Sequence, residues 1–151
     1  MEKRPRVYLD TSVLSALGDI RWPDRQSLTR EFFGRITEFD VATSEVTRIE
    51  IEGTRDLKRR AEMLLLLDRL RVIALTPEAH QLSDRYLAAK IFPASVPEDA
   101  LHVAVAVLAR QDVIISWNFK HLVNQRRRAA VRALNQSLGL STPDIITPPE
   151  L

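Results

Sequence analysis

Short runs rich in β-branched residues alternate with longer stretches of helical periodicity, and this alternation limits the fold more than any other feature of the chain. The runs at 6–10, 40–43, 71–75, 112–116 and 144–147 read as strands. Between them, 13–17, 25–38, 44–52, 57–70, 76–90, 100–109 and 125–138 carry apolar residues spaced for helices. Neighbouring parallel strands need long crossovers, and a helix supplies one each time. The pattern predicts an α/β fold: a three-layer sandwich with a central parallel sheet of four or five strands flanked by helices. The run at 144–147, closed by Pro148 and Pro149, suits an edge.

Local signals sharpen the boundaries. Thr76-Pro77-Glu78 suits a helix start: Thr76 can cap, Pro77 has no N–H to leave unpaired, and Glu78 meets the positive helix end. Ser95 and Glu98 have capping-box spacing. Gly53 should interrupt one helix and Gly139 should stop another. The stretch 100–109 is apolar nearly all round apart from His102, so its helix should be central.

Composition closes off several classes of function. With 151 residues, 45% of them hydrophobic, the chain suits one domain spanning 1–151. It has no cysteine, which excludes a disulfide framework, a thiolate metal site and a cysteine nucleophile. Its four glycines are scattered and form no phosphate-cradling loop. The charged start at 1–6 has no apolar run behind it, and no stretch has the length of a membrane span. A cytoplasmic protein with no membrane partner is the expectation. Net charge is only +2, with pI near 9.3, but basic residues cluster at Lys3, Arg4 and Arg6, at Lys58 to Arg60, and at Lys120 with Arg126, Arg127 and Arg128. Such clusters suit solvated helix faces or a polyanionic partner.

In an open parallel sheet, ligands collect at the carboxyl ends of the strands. Asp10 ends the first predicted strand, and Ser116-Trp117-Asn118 ends another. Asp99 starts the most apolar helix, and Glu50 lies one helix beyond the second strand. Acids brought together repel, and burial adds to the cost; a hard divalent cation with oxygen ligands removes the repulsion. Each residue also has a plainer reading. Asp10, Glu50, Asp99 and Asn118 all suit helix caps, first turns or turns, and Trp117 and His102 suit the core.

Taken together, the blocks resemble the PIN-domain family, which includes the VapC-like toxins. Val7-Tyr8-Leu9-Asp10-Thr11-Ser12 resembles its opening strand and first acid. Thr43 to Ile51, Glu98 to Ala104 and Ile114 to Leu122 resemble its later blocks, with Glu50 and Asp99 at the matching acids. The resemblance implies hydrolysis of single-stranded RNA with one or two Mg²⁺ or Mn²⁺ ions, a cognate antitoxin and a homodimer. Asp10, Glu50 and Asp99 would hold metal, and Asn118 would support it or orient water. Thr11, Ser12 and Ser116 would support the metal and water shell. Lys120, His121, Arg126, Arg127 and Arg128 would attract RNA. Many members carry aspartate in the fourth block; Asn118 contributes an amide there, as in a Trp-Asn-x-Lys-His subgroup. The alternatives are a non-catalytic RNA- or protein-binding module on the same fold, and a phosphoryl-transfer enzyme with Asp10 as nucleophile. The second lacks an acid at Ser12, where haloacid-dehalogenase-type phosphatases place one.

Overall fold

The computed structural model describes residues 3–151; Met1 and Glu2, part of the charged start, lie outside the described residues. The strands are β1 (Arg6–Leu9), β2 (Asp40–Ser44), β3 (Arg71–Ile73), β4 (Val113–Ile115) and β5 (Asp144–Ile146). They form a five-stranded sheet in the order β3-β2-β1-β4-β5. Every pair is parallel, with Tyr8 opposite Ala42 on one side and Ile114 on the other. This is the predicted α/β architecture.

The helices are α1 (Thr11–Ala16), α2 (Pro23–Gly34), α3 (Glu45–Glu52), α4 (Leu57–Leu67), α5 (Pro77–Ala88), α6 (Pro97–Leu108) and α7 (Gln125–Ser137). The pleat sends alternate residues to opposite faces, and so divides the core in two. Tyr8, Ile114 and Ile145 point into a layer built from α5, α6 and α7. Val7, Leu9, Val113 and Ile115 point into the other, with α1, α2 and α4. Helix α3 serves both, placing Val46 in the first layer and Ile51 in the second. Helix α6 is buried from Val103 through Val107 and at His102, as its composition requires. No described helix is long and apolar enough to cross a membrane.

Boundaries differ from the sequence reading where tertiary contacts decide them. The helix expected at 25–38 ends at Gly34, and Ile36–Glu38 tightens into a 3₁₀ turn. Thr76 caps α5 as expected, accepting from the Ala79 N–H. The Ser95–Glu98 capping box does not form: Val96 is the N-cap of α6, with no side-chain cap. Pro97 at the first helical position fixes the start one residue too late for Ser95 to serve. Gly139 follows α7 with φ +72, a conformation that costs glycine little.

One buried polar tie joins α5 to α7. Tyr86 donates to Asn135 Oδ1 at 2.5 Å, and Asn135 in turn donates to Thr142 at 2.9 Å. Both Tyr86 and Asn135 are fully buried. Removing the hydroxyl leaves a buried carbonyl oxygen without its donor. Tyr86→Phe should therefore lower unfolding stability by about 1–3 kcal/mol, read from urea midpoints with an unchanged slope.

Candidate functional site

The chain runs from β1 outward to β2 and β3, then returns to add β4 and β5 on the other side. The strand order thus reverses between β1 and β4, leaving a crevice beyond their carboxyl ends. Asp10 follows β1, and its N–H bonds to Ile115 O of β4 at 3.3 Å. It occupies the N-cap position of α1, yet its side chain makes no cap. Its oxygens instead accept from the hydroxyls of Ser12 and Ser116, each at 2.5 Å. The side chain is thus buried at the crevice floor, held between two hydroxyls from two elements.

The second acid arrives through α3. Ser44 caps that helix, accepting from the Val46 N–H at 3.2 Å, and fixes how α3 leaves β2. Glu50 then turns toward α1 and α6. Its Oε1 accepts from Thr11 at 2.7 Å and from His102 Nε2 at 2.6 Å. The other ring nitrogen of His102 meets the Tyr8 hydroxyl at 2.6 Å, which also meets Ser44 at 2.7 Å. Thr47, three residues before Glu50, is no cap either; it lies within α3, and its hydroxyl meets that of Thr43 on β2 at 2.8 Å.

Asp99 stands in the first turn of α6. Its Oδ2 meets His121 Nδ1 at 2.8 Å, and its Oδ1 faces the Asn118 amide nitrogen at 3.4 Å. Asn118 is locked on both sides. Its backbone N–H donates to Ser116 Oγ, and its Oδ1 accepts from the His121 N–H, both at 2.9 Å. Ser116, Asn118 and Asp99 therefore connect back to Asp10 in one polar network.

Asn118 has its oxygen on the backbone and its NH₂ toward Asp99. His121 is a part-buried partner of Asp99. The basic run also divides. Arg126 and Lys120 are exposed, whereas Arg127 donates to Ile91 O and lies over Phe92, and Arg128 donates to Ile145 O at 2.8 Å. Arg127 and Arg128 thus brace α7 against its neighbours. Trp117 packs inside, 8% exposed, with its indole N–H on Thr29.

Residues 7–121 match the family model described as PIN domain. The chain belongs to the PIN-domain family. Every acid of the network, with Asn118 and both histidines, falls inside that span. Among solved structures, the chain is similar to FitAcB from Neisseria gonorrhoeae, with 14% identity, 96% of this chain and 99% of that one covered, and TM-score 0.60. It is also similar to VapC20 from Mycobacterium tuberculosis, described as a Sarcin-Ricin loop cleaving toxin (15% identity, 76% and 92% covered, TM-score 0.59). VapBC2 from Rickettsia felis, bound to a DNA fragment from their promoter, shares 13% identity over 92% and 96% of the two chains, with TM-score 0.54. At such identities the likeness is one of fold. A search of curated proteins finds no match.

Charge in this PIN site is balanced by protons and hydrogen bonds. Burial pushes the Asp10 carboxyl upward, against the opposing pull of His102 and the two serines. Burial also pushes Asp99 upward, against the pull of His121. Glu50 behaves differently. Burial would raise it, but the hydrogen bond and charge of His102 and the Thr11 hydroxyl together hold it below the usual glutamate range. Burial alone would depress His102; contact with Glu50, helped by the charges of Asp10 and Asp99, leaves it raised instead. Glu50 Oε1 and His102 Nε2, 2.6 Å apart, therefore each favour the other's charged form.

The donor chemistry fits a hard divalent cation, since Asp10, Glu50 and Asp99 offer oxygens and two of them carry more negative charge than their surroundings favour. Among the described residues, no group of three or more Asp, Glu and His side chains is already arranged to hold an ion.

The Glu50–His102 pair has a definite pH window. The part due to Glu50 is present above its unfolded pKa and lost as pH falls through the lowered folded value. The part due to His102 is complete below its unfolded pKa and lost as pH rises through the raised folded value. In metal-free protein, an NMR titration should place the His102 midpoint above the usual histidine value of about 6.5. In Glu50→Gln the midpoint should fall, because the largest opposition to burial is gone and only the charges of Asp10 and Asp99 remain; an unmoved midpoint would break the assignment.

Proposed function

We propose that this PIN-domain protein is a divalent-metal-dependent endoribonuclease, the toxin of a type II toxin–antitoxin pair, of the subgroup with Asn in the fourth block. One observation carries the reading: Asp10 and Asp99 each feel the charges of Glu50 and His102, and none of the three acids, which come from separate elements, is used as a helix cap. The VapC and VapBC proteins of the same fold support the toxin and antitoxin parts.

Asp10, Glu50 and Asp99 would hold Mg²⁺ or Mn²⁺. A bound cation supplies Lewis-acid chemistry, polarising a phosphodiester oxygen and lowering the pKa of water. The chain's own residues orient the ligands. Ser12 and Ser116 aim Asp10, Thr11 and His102 aim Glu50, and Asn118 and His121 aim Asp99. Thr11 and His102 hold Glu50 below the usual glutamate range, whereas burial pushes Asp10 and Asp99 upward, so metal affinity should rise with pH. Exposed Lys120 and Arg126 would draw in the RNA backbone, an attraction that salt weakens. Leu57 and Leu65, on α4 and largely exposed, support a homodimer.

Mn²⁺ should raise the melting temperature of the wild-type protein and switch on cleavage of single-stranded RNA. Asp10→Asn and Asp99→Asn should each abolish cleavage, by at least about a hundredfold, and lose most of the Mn²⁺ stabilisation while melting cooperatively without metal. Full cleavage in both variants would refute the site. A wild-type protein that neither cleaves nor gains stability from Mn²⁺ would instead be a non-catalytic PIN-fold module.

A further inference from the structure

Beside the acids lies a second feature that they do not explain. A groove of roughly 260 Å³ runs outward from Ser12 and Asn118, past Asp19, to Trp22, Arg25 and Trp117. Two large aromatic rings here stand in water: Trp22, which lines the groove, is 53% exposed, and Phe119, whose ring centre is 6.2 Å from that of Trp117, is 49% exposed. Leaving such faces wet forgoes burial that the fold could otherwise use. Both rings stand on fixed backbone. Trp22 precedes Pro23 at the start of α2, and Phe119 sits in a turn whose N–H bonds to Trp117 O at 3.0 Å.

Arg25 lies among the rings. Its guanidinium carbon is 4.7 Å from the Trp22 ring centre, 5.4 Å from Phe119 and 5.7 Å from Trp117. The nearby carboxylate of Asp19 is engaged by Arg21 instead, through two bonds of 2.9 Å, and Arg21 pulls it down to about 2. Arg25 thus rests on aromatic faces, and among the described residues no carboxylate pairs with it. Flat rings stacked with a planar cation, open to water and continuous with a phosphate-cutting crevice, match the chemistry of an unpaired base with its phosphate.

We infer that Trp22, Phe119 and Arg25 form a stacking subsite for one unpaired nucleobase of the RNA strand whose phosphate lies at Asp10 and Asp99. The inference rests on the nuclease reading and deepens it: the strand must be single-stranded at this point, because a paired base keeps its faces inside the helix stack. Stacking reads any base through its π face, so the subsite sets strand register and favours no single letter strongly.

The test uses the full-length Asp10→Asn protein with Mg²⁺, so that cutting does not consume the probe. A single-stranded oligoribonucleotide carries 2-aminopurine at successive positions, and affinity is followed by anisotropy. The expected result is fluorescence quenching at one position, lost in Trp22→Ala and Phe119→Ala, each of which weakens binding about fivefold or more. Trp22→Phe should restore most of the affinity, and an abasic nucleotide at the quenched position should add no further loss to Trp22→Ala. Unchanged quenching and affinity in both alanine variants would overturn the subsite. So would intact RNA binding in Trp22→Ala joined to loss of a protein partner, which would assign the surface to that partner. Cleavage by the wild type with no effect of Trp22 on binding removes the subsite alone. Position-specific, Trp22-dependent quenching without any wild-type cleavage removes the nuclease reading and leaves the stacking. No RNA binding by either protein removes both.

Discussion

The structure turns on the cost of burying Asp10 while the charges of Glu50 and His102 act on it and on Asp99. Like charges at short range raise one another's pKa, and burial adds to the effect. The fold answers each acid separately. Asp10 is held by two serine hydroxyls and pushed toward its protonated form, Glu50 is held by the His102 ring, and Asp99 is held by an imidazole and an amide. Each solution leaves the carboxyl group oriented and lowers the charge it presents. That combination suits a pocket that must stay folded when empty and still attract a cation.

Sheet order makes such a gathering natural. Reversal between β1 and β4 leaves no helix covering the ends of those strands, so Asp10 and Ser116 emerge into the same gap. The helices then bring in what the strands lack. Helix α6 is so thoroughly buried that its first turn has little freedom, and Asp99 is carried to the rim by a rigid rod. Helix α3 spans both core layers, which fixes its rotation and so the direction of Glu50. Precision at the site comes from the core beneath it.

The residues that were legible in the sequence are those whose place follows from periodicity. Asp10 and Ser116 close strand-like runs, Asp99 follows a helix-start proline, and the parallel sheet comes from the alternation of elements. What was not legible was pairing. His102 contacts Glu50 across 52 positions of chain, and His121 contacts Asp99 across 22. No local pattern records such a contact. A histidine inside an apolar helix is the only hint for His102, and it equally suits a core residue. The basic run is a similar case: Arg126, Arg127 and Arg128 look equivalent along the chain, but only the last two bond backbone carbonyls of neighbouring elements. Trp22, Arg25 and Phe119 come from two segments far apart, so their shared surface exists only after folding.

Asn118 shows how one substitution changes the balance of such a site. An aspartate there would add a fourth negative charge facing Asp99 and would raise the cost of the empty pocket. The amide removes that charge and supplies an N–H toward Asp99 instead, while its oxygen holds the turn that delivers His121. The fourth block thereby changes from supplying an acceptor to supplying two donors, Asn118 and His121, both aimed at the same acid. The Asn118–His121 pair is best understood as a unit: neither residue would hold Asp99 in its present direction without the other's backbone or side-chain contact.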